Sequence, residues 1–82
     1  MNATDIAIRA LKARLVEMIA TLADRTPEVG WDGVLAALTK RQAMKLSAWA
    51  QGDFDRDLDL SAIVRAAHAL NVRIDMRLVP QP

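Results

Sequence analysis

The segment GVLAALTKRQAMKLSAWAQG, residues 33–52, decides the predicted fold. Its first part carries apolar residues at a spacing that fits one or two helical turns, namely Val34, Leu35 and Leu38. Its second part, residues 42–51, places Leu46 and Trp49 three residues apart, on the expected core face of a helix that Gly52 ends. Thr39-Lys40-Arg41 lies between the two parts and has no apolar side chain. The segment therefore predicts a short helix, a three-residue turn and a second helix.

Length and composition limit the architecture. A chain of 82 residues without cysteine builds one small core, so we expect a single domain over residues 1–82, with the helix pair at about 32–52. Alanine and leucine dominate, whereas the sequence contains one Phe, two Trp and no Tyr, which is typical of a helical protein. The net charge of +1 excludes a polycation that coats nucleic acid or membrane by bulk attraction.

A long amphipathic helix is predicted before the helix pair, from Thr4, as N-cap, to Arg25. Its expected core face consists of apolar residues at three- and four-residue steps: Ile8, Leu11, Leu15, Met18, Ile19 and Leu22. A loop marked by Pro27, Gly30 and Gly33 follows. Trp31, in this loop, either packs the first helix against the second or lies exposed as a partner contact.

A fourth helix and a strand are predicted after the helix pair. Asp59 ends an acidic connector and caps a helix that stops at Asn71, and its core face is Leu60, Ile63, Val64, Ala67 and Leu70. Beyond Asn71 the apolar residues alternate with charged ones, which is the period of a half-buried strand over about 72–79. The expected fold is therefore mainly α, with four helices and a C-terminal β-strand.

This strand needs a partner, because a lone strand leaves its backbone groups unpaired. No second segment of the sequence has a clear period of two, so the same strand of another copy is the expected partner, antiparallel about a two-fold axis. The expected dimer interface is Val72, Arg73, Ile74, Asp75, Met76, Arg77 and Leu78.

Enzymatic signals are weak. Cysteine chemistry is impossible, and the only histidine, His68, has no serine or carboxylate three or four residues away to orient it. Asp53, Asp55, Asp57 and Asp59 have the spacing of a calcium loop, but the glycine and the bidentate glutamate of such a loop are missing. We expect no catalytic site, no metal and no cofactor.

We expect neither a membrane span nor a secretory signal. The longest stretches without a charged residue are seven residues long, whereas a spanning helix needs about 20 apolar residues. The first residues, MNATDIAIRALKAR, lack the apolar core of a secretory signal. A cytoplasmic protein without membrane contact is expected.

The residues from Leu35 to Leu78 resemble the helix-turn-helix regulators of the lambda-repressor-like, Xre class, in particular short antitoxin-type members. Leu35 and Ala36 match the first motif helix, whereas Ser47 and Gly52, with Leu46 and Trp49, match the recognition helix and the glycine after it. The stretches 58–63 and 69–74 are similar to the family's capped fourth helix and alternating strand. The resemblance covers just over half of the chain and implies DNA binding.

Lys40, Arg41 and Lys45 support this implication, because they lie between Leu38 and Gly52 without any acidic residue and can neutralise phosphates. The second helix of such a pair can enter a major groove about 12 Å wide, where Gln bonds adenine and Ser bonds a base or a phosphate. The expected DNA-binding residues are Lys40, Arg41, Gln42, Ala43, Lys45, Ser47, Ala48 and Gln51.

Two functions remain open at this point. The first is a homodimeric transcriptional regulator that binds double-stranded DNA, either an antitoxin-like autoregulator or a repressor of a phage or mobile element. The second is a protein-interaction module on the same fold, whose alanine-rich third helix binds a toxin or another protein without specific DNA binding.

Overall fold

The computed structural model describes residues 2–80 and contains four helices in that range. They are α1 (Ala3–Asp24), α2 (Gly30–Ala36), α3 (Lys40–Ala50) and α4 (Leu60–Ala69). The prediction of a mainly helical chain with four helices is confirmed. Each helix contacts the three others, so the bundle surrounds one core.

The core is apolar throughout, since no polar or charged side chain is buried in the part of the chain that the structure describes. Leu46, Leu58, Ile63, Val16 and Val34 are its largest fully buried side chains. Leu46 and Trp49 are both buried, which confirms the core face predicted for α3. Leu58, in the connector before α4, is a core residue that the periodic pattern did not indicate.

The predicted face of α1 is partly wrong. Ile19 is buried as expected, but the other buried positions are Val16 and Ala23, while Leu11 and Met18 are 46% and 59% exposed. Residues 2–10 are exposed without exception, because the 22-residue helix extends past the elements that pack against its second half. The N-cap is Asn2 rather than Thr4, and its side chain accepts a hydrogen bond of 2.8 Å from the Asp5 N–H.

The loop predicted around Pro27 and Gly33 is shorter in the structure, because α2 already begins at Gly30. Gly30 has a φ of +67°, which a residue without a side chain adopts at low cost. Gly33 lies inside the helix, where a Cβ atom would come within 2.7 Å of Val29 Cγ1. Trp31 is half-buried and packs against the core, as in the first of the two alternatives considered for it.

Both ends of α4 follow the prediction in part. Asp59 is the N-cap residue, but its side chain forms no capping hydrogen bond, and Leu60 is 44% exposed rather than buried. Asn71 ends the helix with a φ of 60°. The Val72 N–H then donates to the Ala67 carbonyl at 3.1 Å, which is the bond that closes a helix with a left-handed residue after its C-cap.

The predicted C-terminal strand is absent from the single chain. Within residues 2–80 no strand forms, and the segment 72–80 contains no regular secondary structure. The physical reason is that a strand is defined by hydrogen bonds to a neighbour, and the part of the chain that the structure describes supplies no neighbouring strand.

Candidate nucleic-acid interface

Two core side chains hold α2 and α3 in place. Val34 of α2 and Leu46 of α3 are both completely buried in the common core. Only residues 37–39 separate the two helices, so the connection lies two positions earlier than the predicted turn. Lys40 and Arg41, predicted in the turn, therefore belong to the first helical turn of α3.

A capping box starts α3 at this position. The Thr39 hydroxyl oxygen accepts from the Gln42 N–H at 3.2 Å, and the Gln42 side-chain oxygen accepts from the Thr39 N–H at 3.1 Å. These two bonds satisfy N–H groups that would otherwise have no partner at the helix start. Gln42 was expected to bond a base edge, but the structure uses its amide oxygen to cap the helix.

The basic side chains surround the start of α3. Lys40 and Arg41 are exposed, whereas Lys45 is half-buried. The first turn of α3 contains no acidic residue. Positive charges in a first turn oppose the helix dipole and cost about 0.3–1 kcal/mol each, so Lys40 and Arg41 do not stabilise α3. They instead add to the positive potential that the helix start already presents to an anion.

The outer side of α3 forms one wall of a shallow, open groove, the α3 groove. Its lining combines small, polar and charged side chains from α3 and from the loop that follows it: Lys40, Ala43, Met44, Ser47, Ala48, Gln51, Asp53 and Arg56. Five of the eight residues predicted to bind DNA line this groove together. Arg41, Gln42 and Lys45 are not part of its lining.

The loop after α3 is held against the helix by its two aromatic residues. The Trp49 indole N–H donates to the Arg56 carbonyl oxygen at 2.6 Å. The Phe54 ring packs edge-on against the same indole, with ring centroids 5.0 Å apart and an interplanar angle of 71°. Trp49 thus acts as a core anchor, as predicted, and it also keeps the exposed Arg56 beside the outer face of α3.

Sequence reasoning missed three residues of this groove, Met44, Asp53 and Arg56. Met44 is 51% exposed, and its position two residues before Leu46 indicates the opposite helix face. No sequence signal indicated Arg56, because its place depends on the Trp49 hydrogen bond across seven residues. Asp53 brings a negative charge, and its carboxylate accepts from the Asp55 N–H at 3.2 Å.

A second groove, the α1 groove, lies between α1 and the C-terminal segment, residues 72–80. Leu11, Leu15, Met18 and Leu22 line it from α1, and residues 72–76 line it from the other side. Among the predicted dimer residues, Ile74 is half-buried and packs against the core, while the other six are exposed: Val72, Arg73, Asp75, Met76, Arg77 and Leu78.

Residues 2–80 contain neither a membrane-spanning helix nor a cluster of metal ligands. None of the helices there has the length and apolarity that crossing a membrane requires. The same residues contain no group of three or more His, Asp or Glu side chains arranged to hold a metal ion. Comparison with protein-family models, curated proteins and solved structures finds no match for this chain.

Proposed function

We propose that this chain is a homodimeric, sequence-specific DNA-binding regulator of transcription on a lambda-repressor-like helix-turn-helix fold, with α3 in the major groove. One observation carries the proposal. The outer face of α3 combines exposed cations at its start with a groove lined by small and polar residues along its length. Cations position a protein on phosphates, and polar side chains read base edges.

Each side chain of α3 has a role in this proposal that follows from its chemistry. Lys40 and Arg41 contact phosphates at the helix start, where their charges add to the helix dipole. Ser47 and Gln51 line the groove, and their hydroxyl and amide groups form hydrogen bonds with base edges. Ala43 and Ala48 leave room for close approach and offer their methyl groups to thymine. Gln42 is assigned to capping rather than to base recognition.

Binding of the unmodified protein to duplex DNA of random sequence tests the proposal most directly. We expect the logarithm of the affinity to fall linearly with the logarithm of salt concentration, with a slope of about −0.9 for each phosphate contacted. Fluorescence anisotropy at several salt concentrations measures this slope. Absence of binding at low salt, or an affinity that salt does not change, would reject DNA as the ligand.

The alternative function is a protein-interaction module that binds a cognate toxin or another protein without specific DNA binding. Met44 supports this alternative, because its exposed thioether lines the α3 groove together with Ala43 and Ala48 and makes part of that groove apolar. Such a surface would bind its partner with an affinity that salt changes little. The salt titration therefore separates the two functions.

Arg56 adds a prediction that arises only from the structure. Because the Trp49 hydrogen bond keeps Arg56 at the α3 groove, we expect its guanidinium to contact a phosphate. Arg56→Ala should flatten the salt slope by about 0.9 per subunit. Arg65→Ala is the matched control, since Arg65 is an exposed arginine of α4 outside the groove lining. Equal salt slopes for the two variants would show that Arg56 does not contact a phosphate.

A further inference from the structure

The C-terminal segment has unused hydrogen-bonding capacity. Its first residue, Val72, donates to the Ala67 carbonyl. From residue 73 to residue 80, no backbone N–H or C=O forms a hydrogen bond with any other residue in the described range 2–80. A run of unpaired backbone groups of this length is a ready template for strand pairing.

The apolar side chains of this segment also lack cover. Ile74 alone packs against the core, while Met76 is 56% exposed and Leu78 is fully exposed. Beside the segment runs the groove of about 1250 Å³ that α1 lines with Leu11 and Met18, which are themselves about half-exposed. Apolar side chains therefore lie on both sides of the groove, beside charged residues that also line it: Arg14, Glu17, Arg25, Arg73 and Asp75. A second apolar strand would cover the apolar part of this surface.

Charge limits how a second copy of the segment can pair with the first. In an antiparallel pair about a two-fold axis, an axis between two residues would place apolar side chains opposite charged ones. An axis through Asp75 would place it opposite its own copy and Arg73 opposite Arg77, which are like charges and repel. An axis through Arg77 has the same defect. An axis through Ile74 places Asp75 opposite Arg73 of the second copy, and an axis through Met76 places Asp75 opposite Arg77, so both registers bring opposite charges together.

The two remaining registers differ in what they cover. The Ile74 axis pairs only residues 72–76, because the helix end precedes them, and it leaves Leu78 without a neighbour. The Met76 axis pairs residues 72–80 completely, with Asp75 opposite Arg77 of the second copy and Leu78 opposite Ile74 of the second copy. Arg73 opposite Val79 is the one kind of pair in this register that joins a charged and an apolar side chain. Since Ile74 packs against the core, this register brings Leu78 to an apolar surface.

The ends of the segment fit the Met76 register as well. This register places Val72 opposite Pro80 of the second copy. The Val72 N–H already donates to the Ala67 carbonyl, and proline has no N–H. Neither residue therefore has a free N–H group to donate to the opposite strand. The Val72–Pro80 pair is then of the non-hydrogen-bonded type. Pair types alternate along an antiparallel ladder, so the Met76–Met76 pair is also non-hydrogen-bonded, with Cα atoms about 4.5 Å apart.

We infer that the segment 72–80 pairs antiparallel with the same segment of a second copy, about a two-fold axis through Met76. The ribbon places Asp75 and Arg77 of the two copies in two reciprocal ion pairs on its charged face. Its apolar face covers the α1 groove of each copy. This inference rests on the homodimer of the proposed function and specifies its register, but it does not depend on DNA.

Engineered cysteines test the register, because the natural sequence contains none. Met76→Cys should form a disulfide-linked dimer on mild oxidation without DNA, since a Cα separation of about 4.5 Å lies within disulfide geometry. Ile74→Cys is the matched control. Its two copies would lie four residues apart along the ribbon, about 13 Å, which a disulfide cannot bridge. Non-reducing gel electrophoresis and far-UV circular dichroism report cross-linking and folding.

A charge swap gives an independent measurement with intact side-chain packing. Asp75→Arg should raise the dimer dissociation constant in sedimentation equilibrium roughly 2- to 30-fold, because it replaces two cross-strand ion pairs by like charges. Adding Arg77→Asp to the same chain should restore dimerisation, whereas adding Arg73→Asp should not.

Each other outcome overturns the inference in a distinct way. Cross-linking through Ile74→Cys, or rescue by Arg73→Asp, would establish the Ile74 register and leave the homodimer intact. A dimeric parent that neither cysteine cross-links would pair through another surface. A monomeric parent would reject the pairing altogether, and the separate salt titration would still decide whether the protein binds DNA.

Discussion

Leu46→Asp is expected to remove a large part of the free energy that keeps this protein folded. Leu46 is completely buried in an all-apolar core, so the new carboxylate would find no hydrogen-bond partner or cation there. Leaving a charge unpaired in the interior costs about 3–5 kcal/mol, a large part of the roughly 5–15 kcal/mol by which small domains are stable. Urea and thermal denaturation followed by far-UV circular dichroism measure the destabilisation.

Met44→Asp is the matched control for this variant. It places the same residue two positions earlier in the same helix, so the change in helix propensity is similar. Met44 is 51% exposed on the opposite side of α3, and we expect its replacement to change stability by about 0.5 kcal/mol or less. Equal destabilisation by the two variants, or a Leu46→Asp protein with the parent's melting curve, would show that α3 packs through a different face.

Local signals predicted α3 and the end of α4 well. Leu46 and Trp49 have helical spacing in a segment with few other large apolar residues, so only one face of α3 can enter a core. Asn71 adopts the left-handed conformation that asparagine tolerates better than most residues. Each of these features depends on residues close together in the chain, and sequence patterns report such features directly.

The core face of α1 was harder to predict because apolar residues occur all around this helix. Val16 and Ala23 are buried, although the periodic pattern selected Leu11 and Met18 instead. Which of two apolar faces turns inward is decided by the position of the other three helices, and the sequence of α1 does not contain that information. The two large residues left outside then became one wall of the α1 groove.

In the candidate DNA interface, too, the sequence predicts some features and the folded structure decides others. The cluster of Lys40, Arg41 and Lys45 is visible in the sequence, because it consists of neighbouring charges. The capping role of Gln42 depends on where α3 begins, two residues earlier than its apolar pattern suggested. The position of Arg56 depends on a hydrogen bond formed in the folded state. The predicted C-terminal strand shows the remaining limit, since the described residues of one chain offer it no neighbouring strand.

Neutralising Lys40, Arg41 and Lys45 together is expected to have the largest effect on DNA binding. Replacement of all three by Gln leaves up to three phosphates per subunit without a cation, and the salt slope should flatten by about 0.9 for each of these phosphates. Stability should not fall, because two of the charges oppose the dipole of α3 and none is paired with a carboxylate in the described residues. Anisotropy titrations at several salt concentrations and thermal denaturation measure the two properties.

The control must separate local binding of phosphates from the change in net charge. Arg9→Gln, Arg25→Gln and Arg65→Gln remove the same total charge from exposed positions on α1, at its C-cap and on α4. If α3 enters the major groove, this variant keeps the parent's slope, because release of counterions depends on the phosphates actually contacted. Equal flattening in both triple variants would mean that the protein attracts DNA only through its overall charge. An unchanged slope in the α3 variant would favour the protein-interaction module, whose apolar surface around Met44 these substitutions leave in place.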